Sequence, residues 1–279
     1  MVAINKIIAC LKRYWPFYLT GLIIVLGLKI VHSVADANAF DWILAPTARW
    51  VNLLSGIPFV KESQVGYVNH EHQVIIALSC SGIQFLMICL TTLLFSFIHR
   101  MDKWIDRFCW LGFSIGFSYL FTVFVNGFRI IFAIPLLKLT IDDSWMTPDR
   151  IHMIAGTFVY FISLFIIYQI AEFVSRKMAG IQKKRLNRMP PVFCYLGVTL
   201  GFPLVNRLFR NHNENFAEYV LLLTAVCLTT CALYGTIQII QKTIKHKMRR
   251  GANEESQSLD HHFSVLPIHG KCLSSCERK

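Results

Sequence analysis

Three side chains in this sequence could do chemistry together: the thiol of Cys80, the guanidinium of Arg129 and the imidazole of His152. Cys80 stands in Ser79-Cys80-Ser81-Gly82, at the head of an apolar run that ends at Ile98. Arg129 closes the next apolar run, in Asn126-Gly127-Phe128-Arg129-Ile130, and His152 opens the one after that. A thiolate is a nucleophile, and a helix N-terminus or a neighbouring cation favours it over the thiol. An imidazole can take the thiol proton and return it to a leaving amine. A guanidinium can stabilise an oxyanion without losing its own charge. The neighbours suit these roles. Ser79 or Ser81 can cap the helix that Cys80 opens, and Gly82 lets backbone or substrate approach closely. Thr147-Pro148-Asp149 reads as a helix start, with a capping hydroxyl and a first-turn proline, so His152 lies just inside that helix. Gly156, one turn further on, leaves room for a packed neighbour.

The elements that must position these groups are long uncharged runs. Of 279 residues, 54% are hydrophobic and 16% charged, and the mean hydropathy is +0.49. That balance, with several runs of roughly 20 uncharged residues, reads as a polytopic membrane protein. The basic start (Lys6, Lys12, Arg13) leads into an apolar run with no small-residue cleavage site after it, so the first span is expected to be retained. The spans read as Tyr14 to about Ala35, Ser81–Ile98, the run between Arg107 and Arg129, Ile151–Ala171, Met189–Asn206 and Tyr219–Gln241. Ser81–Ile98 is the shortest of the clean runs, at about 27 Å as a helix. The fold class is therefore all-α: a transmembrane helical bundle of about six spans. Asp36 to His72 is mixed, with Asp41, Trp42, Pro46, Arg49 and Trp50, and reads as interfacial or re-entrant structure, or an extra span within 36–60.

Charge sets the orientation. The net charge is +12, and the basic residues cluster in alternate loops. The clusters are Lys6/Lys12/Arg13, Arg100/Lys103/Arg107, Arg176 to Arg188, and Lys242 to Arg250. With six spans all four face the cytoplasm, while Arg207 and Arg210 fall on the outer side and weaken the rule locally. Cys80, Arg129 and His152 then share one depth, at the outer membrane surface, each within about two turns of a helix end. The chain divides into a membrane core over 1–174, an extension with two spans over 175–242, and a polar cytoplasmic tail over 243–279 expected to be disordered.

Plainer readings account for other residues. A lone cysteine in an apolar span is a small hydrophobe, which covers Cys89, Cys109, Cys194, Cys227 and Cys231. No CxxC pair is present, which argues against a disulfide framework and a dithiol redox site. The His261, His262, His269, Cys272 and Cys276 set of the tail fits no standard zinc spacing, so no metal is expected. No Gly-rich phosphate loop appears, and no cofactor is expected. The positive charge lacks a basic groove interleaved with aromatics, which argues against nucleic acid. A serine protease is disfavoured because Ser79, not Gly, stands two before Ser81.

The motifs Ser79-Cys80-Ser81-Gly82-Ile83, Asn126-Gly127-Phe128-Arg129-Ile130 and His152-Met153-Ile154-Ala155-Gly156, in this order in successive helices, resemble the exosortase/archaeosortase family. The resemblance covers roughly Phe17 to Val174 and leaves the chain from about Ser175 unmatched. It implies a membrane cysteine transpeptidase or protease. The expected partners are exported proteins whose C-terminal sorting signal is a short motif, a membrane helix and a basic end. The resemblance makes Cys80 the nucleophile, Arg129 the transition-state stabiliser and His152 the acid/base, with Asn126 and Gly156 in support. The expected place is the inner membrane with the site facing outward, and the acceptor, an amine or water, is left open. The competing expectation is a non-enzymatic assembly factor for export of polysaccharide or lipid-linked material, motivated by the basic cytoplasmic surface and tail.

Overall fold

The structure is a computed structural model that describes residues 2–137, 148–179 and 189–209, with short helical pieces between 220 and 243. Six long helices carry the described chain: α1 (Val2–Val34), α2 (Asp41–Ser55), α3 (Ile83–Phe97), α4 (Trp104–Leu137), α5 (Pro148–Ala179) and α6 (Met189–Phe209). Among the described residues, four helical segments are long and apolar enough to cross a membrane: Lys12–Val34, Leu78–Arg100, Trp104–Leu136 and Met153–Met178. The all-α membrane class expected from the sequence is what the chain forms.

The central element is α3. It is apolar on every side, and twelve of its fifteen residues are buried, as expected for a helix enclosed by others. α1, α4, α5 and α6 all pack against it. The flanking helices turn apolar side chains outward, among them Ile23 and Ile30 of α1, Phe132 of α4 and Phe173 of α5. Such faces suit lipid, which offers these side chains the same environment as the core.

The segment 36–76 holds no helix long enough to be the extra span, and part of it is sheet. Over 41–55 it forms α2, about 22 Å long at 1.5 Å per residue and so too short for a membrane core of about 30 Å. α2 buries Ile43, Leu44, Thr47, Ala48 and Val51 on one face and packs along α4. The rest forms three short strands, β1 (Val60–Glu62), β2 (Gly66–Asn69) and β3 (Val74–Ile76), in an antiparallel meander of order β1-β2-β3. A three-residue strand shows too little alternation to stand out from a loop. The sheet is tied to the helices at Asp41, which accepts a hydrogen bond from Tyr67 at 2.8 Å and pairs with Lys61 at 3.0 Å. The Tyr67 hydrogen bond, then the Lys61 hydrogen bond, hold the Asp41 carboxyl below its usual range.

The opposite end is held by three arginines, of which Arg107 is buried. Glu172 on α5, almost fully buried, lies 2.7 Å from Arg100 and 2.7 Å from Arg176. Arg107 at the head of α4 donates to the Met101 carbonyl at 2.9 Å and to the Asp102 carbonyl at 2.8 Å. Its guanidinium lies 4.6 Å from the Tyr14 ring centre. Arg100 and Arg107, read from sequence as topological charges, therefore also join helices, while Arg176 pairs with Glu172 within α5.

Two helices run past their expected ends. α4 continues through Arg129 to Leu137, and α5 runs to Ala179. Arg129 is therefore an interior helix residue, not the end of a span: its side chain lies against α5 and needs no exit to water. α6 accepts Pro190 and Pro191 in its first turn, where the missing N–H breaks no helical bond. The sixth expected span, the tail histidines and cysteines, and residues 138–147 and 180–188 lie largely or wholly outside the described residues.

Candidate active site

Cys80 ends a single 3-10 turn, Leu78–Cys80, that leads from β3 into α3. Its N–H donates to the Ala77 carbonyl at 2.9 Å. Gly82 is the N-cap of α3, with φ +77°, a conformation that favours glycine. A Cβ there would also stand 3.1 Å from Asn126 Cγ and 3.1 Å from Thr122 Cγ2. Gly82 thus brings the head of α3 against α4. Of the two serines, Ser81 is buried and accepts a long hydrogen bond from the Ile83 N–H at 3.4 Å. It acts one residue ahead of the cap position. Ser79 is exposed and lines the cavity described next.

A cavity of about 240 Å³ opens between α3, α4, α5 and α6. Cys80 and Arg129, 49 residues apart in sequence (129 − 80), both line it, and so does Gly156. Asn126 is fully buried and lies one turn before Arg129 on the same face of α4. Its amide Nδ2 donates to the Cys80 carbonyl at 2.6 Å. Its Oδ1 accepts from the Tyr160 hydroxyl at 2.7 Å, and that hydroxyl accepts from Arg129 Nη1 at 3.3 Å. A single line of donors therefore runs from the guanidinium through Tyr160 and Asn126 to the Cys80 carbonyl. Bonds aligned this way polarise one another, and they fix the Cys80 peptide relative to the cation.

Tyr160 was not anticipated from the sequence. It stacks on Phe85 of α3, ring centres 4.4 Å apart and 7° from parallel. Arg129 lies over it, with Cζ 5.0 Å from the ring centre. Gly156 makes the approach of Arg129 feasible: a Cβ there would stand 2.6 Å from Nε and 3.1 Å from Nη2. The signal for Tyr160 was present, since His152, Gly156 and Tyr160 recur every four residues and so share one face of α5. His152 lies in α5 one turn before Gly156, and its side chain is outside the described residues.

Three walls of the cavity come from α3 with the turn that leads into it, from α4 and from α5. The fourth comes from Tyr195 and Thr199 of α6. Among the described residues, no three of His, Cys, Asp and Glu come together in a way that could hold a metal ion.

The family model for transmembrane exosortase (Exosortase_EpsH) matches residues 2–169, more than half of the chain. The chain belongs to the exosortase family. The matched segment contains Cys80, Asn126, Arg129, His152, Gly156 and Tyr160, and ends before α6. No curated protein and no solved structure matches the chain. The protein is thus a membrane protein of the exosortase family, a family of proteases and transpeptidases in general.

Proposed function

We propose that this exosortase is a membrane-embedded cysteine protease/transpeptidase. It acts on exported proteins bearing a C-terminal signal of a short motif, a membrane helix and a basic end. The observation that carries this reading is the convergence of Cys80 and Arg129 on one cavity, coupled through Tyr160 and Asn126. A topological cysteine and a topological arginine have no reason to share a cavity or a hydrogen-bond line.

In the proposed cycle the Cys80 sulfur attacks a peptide carbonyl of the signal, and His152 takes the thiol proton. Arg129 stabilises the oxyanion of the tetrahedral intermediate. That intermediate collapses as His152 gives the proton to the leaving amine. The C–N bond breaks, the helix-bearing fragment leaves, and a thioester to Cys80 remains. An acceptor amine or water then attacks the thioester and passes its proton to His152, which restores the thiol. The site faces the outer surface of the inner membrane in this reading, on the strength of the basic loops at the other end of the helices.

The test is gel mobility of an exported reporter carrying such a signal, co-expressed with the wild type and with Cys80→Ala. A shift made by the wild type and absent with the variant, at equal membrane accumulation, supports the reading. An unchanged shift with Cys80→Ala removes the thiol mechanism and returns the protein to the class of assembly factors.

A further inference from the structure

Thr199 of α6 is 3% exposed, and its hydroxyl has no hydrogen-bond partner. That is an unusual state for a threonine in an apolar helix. Thr91 and Thr92 of α3 show the ordinary solution: each hydroxyl donates to the carbonyl four residues back, at 2.7 Å. A buried hydroxyl left without a partner is destabilising, so each such case asks for an explanation. Valine would fill the same volume in this helix without that penalty. Four serine and threonine hydroxyls among the described residues share this state, those of Ser96, Ser118, Thr122 and Thr199. Of these residues only Thr199 lines the cavity that Cys80 and Arg129 line.

A second polar atom points the same way. Arg129 Nε is buried and also without a partner. Two residues with unpaired buried polar atoms, on two different helices, α4 and α6, thus line the one cavity. Tyr160, by contrast, bridges Arg129 and Asn126. Tyr195, one turn before Thr199, packs edge-on against Phe161 of α5 with ring centres 5.0 Å apart. Pro191, Tyr195 and Thr199 are all buried and lie at four-residue spacing, so one face of α6 is turned inward. That contact holds Thr199 at the cavity instead of letting α6 roll outward.

We propose that α6 is the specificity-determining wall of the site, and that the Thr199 hydroxyl hydrogen-bonds the peptide segment of the substrate beside the scissile bond. This rests on the protease reading above. A hydroxyl can donate to a peptide carbonyl or accept from a peptide N–H, and an extended substrate presents both. The family-matched segment ends at residue 169 and supplies the other three walls. The reacting groups therefore belong to the shared core, and α6 adds a wall outside that matched segment. Thr199 is a substrate-contacting residue that selects, and it takes no part in proton transfer.

The experiment uses the full chain in its native membrane. The probe is an exported protein with a C-terminal motif, membrane helix and basic end that loses that helix in wild-type cells. Thr199→Val should accumulate and melt like the wild type or slightly higher, because it removes an unpaired polar group. It should slow processing roughly tenfold at low substrate level, and raising the substrate should recover the rate, as for a change in KM and not in kcat. Thr199→Ser keeps the hydroxyl and should restore most of the rate. Wild-type processing by Thr199→Val overturns the proposal, as does loss of its accumulation, which would mean that the hydroxyl serves folding. An equal defect in Thr199→Ser also overturns it, since shape would then be what matters. Those three results leave the cysteine mechanism standing. Processing that persists in Cys80→Ala removes that mechanism and this proposal with it.

Discussion

A methyl group added at Gly156 would stand 2.6 Å from Arg129 Nε, 3.1 Å from Nη2 and 3.2 Å from Cζ. Carbon and nitrogen in ordinary van der Waals contact need about 3.5 Å, so Gly156→Ala forces the guanidinium to move by roughly 0.9 Å. The atoms that clash are not the free tip of a flexible chain. The guanidinium is held by Tyr160, whose hydroxyl accepts from Nη1 at 3.3 Å and whose ring lies beneath Cζ. That bond is already long, and a further shift of this size breaks it. A misplacement of about 1 Å in a positioned catalytic group can lower a rate by about a hundredfold. Backbone energetics act the other way. Gly156 lies inside α5, where alanine is favoured over glycine by about 1 kcal/mol, against an overpacking penalty of about 1–3 kcal/mol. The expected outcome is membrane accumulation close to wild type, a melting temperature in detergent changed by a few degrees at most, and processing of an exported reporter reduced about a hundredfold. Full activity in Gly156→Ala would refute the placement of Arg129 against α5, and with it the role assigned to the Arg129–Tyr160 contact.

Two further outcomes follow from the same geometry. Tyr160→Phe keeps the stack on Phe85 but removes the hydroxyl that joins Arg129 to Asn126. It leaves the buried Asn126 Oδ1 unpaired, so stability should fall by about 1–3 kcal/mol and processing by roughly tenfold to a hundredfold. Melting in detergent and the reporter shift check both, and a variant as stable and as active as the wild type would refute the line of hydrogen bonds. At the start of α2, Tyr67 and Lys61 hold the Asp41 carboxyl below its usual range. A carboxyl lowered in the folded state stabilises the fold above its unfolded value of about 4, and that contribution disappears as pH falls through the lower folded value. Melting of the wild type between about pH 6 and pH 3 should therefore drop more steeply than that of Tyr67→Phe. Parallel curves for the two would show that the Tyr67 bond does not hold the carboxyl.

The membrane class was legible because burial in lipid imposes a length. Runs of roughly 20 uncharged residues have few other uses, and the starts of α3 and α5 were marked by local chemistry, Ser81-Gly82 in one and Pro148 in the other. The 36–76 segment was not legible in detail. α2 and the strands β1 to β3 are short, and their stability comes from packing on α4 and from the Asp41–Tyr67–Lys61 contacts, which join residues far apart in sequence. The end of α4 was misplaced for a related reason. A charge at residue 129 marks the edge of a span only if it must reach water, and here it is received by α5 instead.

The residue types at the site were determined by sequence alone. The sequence alone puts a thiol, a guanidinium and an imidazole near the ends of successive apolar runs, which the positive loops lead one to expect at one depth before any packing is known. Depth is one coordinate out of three, and helix packing decided the other two. α3, α4, α5 and α6 could surround one another in several orders with the same span lengths and the same loops. The order adopted brings Asn126 onto the Cys80 carbonyl, Tyr160 under Arg129, and Thr199 onto the cavity wall. Those contacts depend on the close approach permitted by Gly82 and Gly156, and on which helix faces meet. Hydrophobic length fixes neither, because a lipid-facing and a helix-facing leucine are equally apolar.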